Sequence, residues 1–99
     1  MPYITKFDRD ALDDLRRLRK REKTTLLDNI QRYLVHQPAV ERGTRIRALK
    51  QPAISQFRFR VGDFRVYYDV DDESQEVRIL RVVEKGTRTT EEVTKDESD

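Results

Sequence analysis

The sequence predicts an α+β fold: an N-terminal strand, a helical hairpin, then a three-stranded antiparallel meander. Two patterns predict it. Apolar residues recur at helical spacing from Ala11 to Leu34, and they alternate with period two from residue 54 to residue 83. Ninety-nine residues without an internal repeat are enough for one domain, expected over 1–90, followed by an acidic tail at 91–99.

Residues 2–7, PYITKF, are β-branched and aromatic and read as a short strand. Asp8 is a candidate N-cap for the next element. One apolar stripe runs Ala11, Leu12, Leu15, Leu18, and a second runs Leu26, Leu27, Ile30, Tyr33, Leu34. Between them lies the charged run Arg19 to Lys23. Two stripes of similar length suit two antiparallel helices, near 9–19 and 22–36, each packed on one sheet face; one long helix is the alternative. Pro38 ends the second helix, and residues 37–53, with Pro38, Gly43 and Pro52, read as a connection.

Residues 54–61 then place Phe57, Phe59 and Val61 on one face and Arg58 and Arg60 on the other. Gly62-Asp63 signals a tight turn. Residues 64–70 put Phe64, Val66, Tyr68 and Val70 inward and Arg65, Tyr67 and Asp69 outward. Asp71 to Ser74 is a second turn, and residues 76–83 form the last strand. The acidic tail reads as a frayed, solvated end.

Composition narrows the function classes. With 35% hydrophobic and 40% charged residues, the core is thin and a partner that covers apolar surface would help it. The chain has no cysteine, which excludes disulfides, thiolate metal sites and a cysteine nucleophile, and suits a reducing compartment. The N-terminus lacks the basic-then-apolar plan of a signal peptide, and no apolar run is long enough to span a bilayer. The expectation is a cytoplasmic protein with no membrane partner. His36 is the sole histidine, at a helix end where it suits the helix dipole, so a metal site or a Ser-His-Asp triad is disfavoured. Asp71-Asp72-Glu73 reads as a solvated hairpin tip rather than a cation site. With three glycines in the chain, P-loop and Rossmann readings fail.

The remaining chemistry is cationic. The overall charge of +2 conceals a basic block at residues 42–65, where Arg42, Arg45, Arg47, Lys50, Arg58, Arg60 and Arg65 face a single acid, Asp63. Such a block attracts phosphate, and arginine forks onto its oxygens. Alternation puts Arg58 and Arg60 on one face, a tight turn brings Arg65 beside them, and Tyr67 follows on that face. Guanidiniums around an aromatic ring make a cradle for single-stranded RNA. The plainer reading is a charged, solvated sheet face.

The run Arg60-Val61-Gly62-Asp63-Phe64-Arg65-Val66-Tyr67-Tyr68-Asp69-Val70 resembles the signature hairpin of the RelE/ParE superfamily of bacterial type II toxins. Ala48-Leu49-Lys50 before it and Val77 to Val82 after it agree, and the order of elements extends the resemblance over residues 2–88. The resemblance implies a toxin held by a cognate antitoxin, a largely disordered acidic chain that folds over it. It also implies contact with operator DNA only through that antitoxin. RelE-like members cleave mRNA in the ribosomal A site without a metal or other cofactor, by attack of a ribose 2′-OH on the adjacent phosphate. Carried over by position, Arg65, Lys85 and Arg58 take the catalytic places, and Arg60, Arg88, Lys50, Arg47 and Tyr67 the RNA-binding ones.

The sequence departs from the family pattern at four places. Lys85 replaces an arginine, Glu84 lies beside it, no tyrosine follows Tyr68, and Gln56 stands where ribosome-dependent members have lysine. Three functions therefore stay open: a ribosome-dependent endoribonuclease, a ParE-like inhibitor of DNA gyrase that cleaves nothing, and a degenerate antitoxin-binding co-repressor.

Overall fold

The structure, a computed structural model, describes residues 2–85. The elements in chain order are β1 (Ile4–Phe7), α1 (Arg9–Arg16), α2 (Lys20–Leu34), β2 (Ile46–Ala48), β3 (Phe57–Val61), β4 (Phe64–Asp71) and β5 (Glu76–Glu84). The five strands form one sheet in the order β1-β5-β4-β3-β2. β1 runs parallel to β5, and every other pair is antiparallel. The predicted α+β order holds, with one strand added.

That addition is β2. The region predicted as a connection, 37–53, contributes Ile46–Ala48 as an edge strand on β3. Three residues are too few to show an alternation, so the pairing is decided by burial: Ile46 sits opposite Phe59, and both are fully buried. The strand expected over 54–61 begins at Phe57, because residues 51–56 are bends.

The helical hairpin forms with shifted limits. α1 stops at Arg16, where the amides of Arg17 and Leu18 reach back to Asp14 and Leu15, tightening the last turn. The charged run mostly belongs to the first turn of α2 rather than to the corner. There Glu22 accepts the Arg19 backbone amide at 3.1 Å, the return half of a capping box. Asp8 does precede α1, but its side chain makes no capping bond and instead lies 3.6 Å from Arg78.

Ala11, Leu15, Leu26, Ile30 and Leu34 of the helices meet Phe59, Val66, Tyr68, Val77, Ile79 and Val82 of the sheet. Each large aliphatic side chain among them contributes about 1.5–3 kcal/mol by leaving water. Leu12 and Leu27 were expected in the stripes, yet both are exposed, since each lies at the stripe margin one residue past a buried neighbour. Tyr68 is fully buried and donates to the Pro38 carbonyl at 2.6 Å, which ties the chain after α2 to the middle of the sheet. Burial pushes its phenol pKa well up.

The β4–β5 ladder carries a bulge. Tyr67 pairs with Arg81 and Tyr68 with Ile79, so Leu80 has no counterpart on β4. Next to this bulge Arg81 donates Nε and Nη2 to the Asp14 carboxylate of α1 at 2.8 and 3.0 Å, and the Val82 amide donates to the same carboxylate at 2.8 Å. The Asp14 hydrogen bond raises the Arg81 pKa. One buried acid thus fastens α1 to β5 through three bonds.

Candidate nucleic-acid interface

The two strands of the β3–β4 hairpin are joined by Gly62 and Asp63. Gly62 takes φ +56°, the sign that a two-residue hairpin turn led by glycine needs. This turn fixes the register: Arg60 lies opposite Arg65, and Arg58 opposite Tyr67. Arg47 extends the second row as the partner of Arg58 on β2, and Val83 extends the first as the partner of Arg65 on β5. The expected gathering of Arg58, Arg60, Arg65 and Tyr67 on one face, opposite the Phe59–Val66–Tyr68 face, is therefore present.

Their exposure differs from expectation. Arg58 is 1% exposed, Arg65 4% and Tyr67 0%, whereas outward placement had suggested solvated side chains. Alternation sets the face a side chain takes; it does not set whether water reaches that face. Arg65 donates Nη1 to the carbonyls of Gly62 and Phe64, at 3.4 and 3.3 Å, so its guanidinium is drawn back onto the turn. Arg60 is half-buried, and Arg47, Lys50 and Lys85 are exposed.

Lys85 lies just past β5, and its amide donates to the Asp63 carbonyl at 2.6 Å. The turn, the Arg60–Arg65 row and Lys85 therefore share one end of the sheet. Arg47 and Lys50 belong to the edge. Arg88 and the acidic tail lie outside the described residues.

Gln56 has a structural task. Its amide donates to Asp69 at 2.7 Å, and its side-chain oxygen accepts the Val70 amide at 2.9 Å, so it pins the start of β3 to β4. His36 is exposed, just beyond the C-cap of α2. The acidic turn behaves as a hairpin tip: Asp71 accepts the amides of Ser74 and Glu73, and the Ser74 bond leads in lowering its pKa.

Two clusters escaped the sequence reading. Asp14 sits at the third residue after Ala11, on the margin of the buried stripe, and a carboxylate there was the signal for Arg81. The other is a cleft formed by Tyr33, Arg42, Thr44, Arg45, Arg60 and Gly62. Arg42 and Arg45 had entered only the charge count and Arg60 only the hairpin face, because the cleft depends on Tyr33, which α2 contributes from elsewhere in the sequence.

The family model for the ParE toxin of type II toxin–antitoxin systems, parDE, matches residues 5–87. The chain belongs to the RelE/ParE superfamily of type II toxins. Solved structures agree with this assignment. The toxin resembles a chain of the toxin–antitoxin complex RelBE2 from Mycobacterium tuberculosis, with 28% identity, a TM-score of 0.72 and coverage of 86% of this chain and 100% of that one. It resembles a chain of the archaeal RelE–RelB complex from Pyrococcus horikoshii with 26% identity, a TM-score of 0.69 and coverage of 87% and 98%. A mutant of the Escherichia coli toxin RelE in the free state shares the fold at 20% identity and a TM-score of 0.66, over 99% of this chain and 100% of that one. No curated protein matches the sequence. The toxin's described helices include none long and apolar enough to cross a membrane.

Proposed function

We propose that this toxin is a cytoplasmic, ribosome-dependent endoribonuclease that cleaves mRNA in the A site. The observation that carries the reading is the register of the β3–β4 hairpin, which sets Arg60 against Arg65 and Arg58 against Tyr67 on one face. Guanidiniums gathered on one face can hold a phosphodiester, an anion whose oxygens take their N–H forks.

In this reading the ribose 2′-OH attacks the adjacent phosphorus and loses its proton. The bond to the 5′-oxygen breaks, leaving a 2′,3′-cyclic phosphate and a 5′-hydroxyl. Arg65 and Arg58 stabilise the charge that builds on the phosphorane oxygens. Lys85, at the same end of the sheet as Arg65, assists the leaving 5′-oxygen, which gains a proton. Arg60, Arg47, Lys50 and Arg88 hold flanking phosphates and Tyr67 supports a base. Because Arg58, Arg65 and Tyr67 are buried, RNA engages them by opening this face. No cofactor takes part. A cognate antitoxin neutralises the toxin, as the RelB chains of the neighbouring structures suggest, and operator DNA is met only through it.

Primer extension on a reporter mRNA after brief induction tests the reading. Cuts confined to translated codons, and lost in Arg65→Ala, are expected. Cuts that persist in the variant remove Arg65 from the site.

A second reading has its own support. The matching family model is that of ParE, and the sequence has no tyrosine after Tyr68. This favours a gyrase inhibitor that cleaves nothing. Growth arrest without mRNA cuts, together with blocked supercoiling by purified gyrase, would establish it.

A further inference from the structure

The cleft beside the hairpin is built on a second tight turn. Residues 42–45 close through the Arg45 amide, which donates to the Arg42 carbonyl at 2.9 Å, with Gly43 at φ +54°. The turn sets Arg42 and Arg45 side by side at its two ends. The Arg60 amide then donates to the Arg45 carbonyl at 2.7 Å, bringing β3 against the turn. Arg42, Arg45 and Arg60 together line an open cleft of about 450 Å³, with Tyr33, Thr44 and Gly62.

Two of these guanidiniums are held in place by neutral partners. Arg45 donates Nη1 to the Tyr33 hydroxyl at 2.6 Å and lies 4.7 Å from the centre of that ring. Arg42 donates Nη2 to Gln37 at 3.2 Å. Among the described residues, no carboxylate pairs with Arg42, Arg45 or Arg60. The nearest acid in sequence, Glu41, is engaged elsewhere, accepting the Ala48 amide at 2.9 Å. Positioned arginines that meet no carboxylate among the described residues suit an anion.

We propose that Arg42, Arg45 and Arg60 form a binding site for a backbone phosphate of RNA that flanks the site at the hairpin. This rests on the RNA reading given above. A phosphate suits the cleft better than an acidic protein segment, because among the described residues Tyr33 is the sole aromatic or aliphatic side chain lining it and offers no groove for apolar anchors. Arg60 belongs both to the cleft and to the Arg60–Arg65 row, so a single strand can pass from one to the other.

The test is binding of an uncleavable 2′-O-methyl RNA oligonucleotide to the full chain, measured across a salt series for wild type, Arg42→Gln and the double variant Arg42→Gln/Arg45→Gln. The expected result is affinity reduced about tenfold in the double variant, with the slope of log K against log salt flattened by about 0.7 for each phosphate no longer neutralised. Arg42→Gln leaves the Arg45–Tyr33 pair intact, so it decides the matter if the double variant folds poorly. Unchanged affinity and slope in either folded variant overturn the proposal, as does wild type that binds no RNA. Unchanged RNA binding with weakened antitoxin binding overturns it in favour of an acidic protein segment. Because the probe cannot be cut, the nuclease reading fails separately: RNA that binds through the cleft on a toxin that makes no cuts keeps the site and removes the activity.

Discussion

Two regions of the sheet hold arginine in opposite ways. Beside α1, Arg81 meets Asp14 through two hydrogen bonds, and the same carboxylate takes the Val82 amide, so charge and backbone donor are satisfied together. At the β3–β4 hairpin, Arg65 stands across from Arg60, and its guanidinium turns back onto the carbonyls of Gly62 and Phe64. The first arrangement fastens a helix to a strand. The second places two guanidinium-bearing residues opposite each other on neighbouring strands, next to a tight turn.

The comparison is sharpened by four substitutions. Arg65→Ala carries the largest expected effect, a fall of about 100- to 1,000-fold in mRNA cleavage, read by primer extension with circular dichroism to show that the fold remains. A variant that still cuts would reduce Arg65 to a turn-stabilising residue. Asp14→Asn is the matching test beside α1. It strips the charge from the buried Asp14, the partner of a half-buried Arg81, and should cost roughly 1.5–3 kcal/mol of stability in urea unfolding. A cost below about 1 kcal/mol, the range of exposed ion pairs, would show that Asp14 is no anchor.

Tyr68→Phe removes the bond to the Pro38 carbonyl while keeping the ring packed 5.5 Å from that of Phe57. It should destabilise by about 1–2 kcal/mol, and a neutral result would mean that the carbonyl finds another donor. Arg60→Gln has the smallest effect and the opposite sign. Relieving the opposition to Arg65 should stabilise the free toxin by roughly 0.2–1 kcal/mol while weakening RNA binding. Destabilisation would mean that Arg60 supports the sheet, and the contrast between the two regions would collapse.

Much of the fold was legible in the sequence for local reasons. Period-two alternation fixed which residues of β3 and β4 share a face, and Gly62 at positive φ fixed the turn that pairs Arg60 with Arg65. Helical spacing located α1 and α2 to within a few residues. β2 stayed hidden because three residues carry no period, and its pairing depends on Ile46 meeting Phe59 across the chain.

The chemistry divides along the same line. Residue order alone determined that this toxin's resources are arginines, that they concentrate in 42–65, and which of them the hairpin aligns. Tertiary structure decided the rest. It buried Arg58, Arg65 and Tyr67 and closed the Asp14–Arg81 anchor beside a bulge. It also brought Tyr33 from α2 under Arg45 to make a cleft. Periodicity encodes direction along one element, whereas burial and partnership depend on groups that only the packed chain brings together.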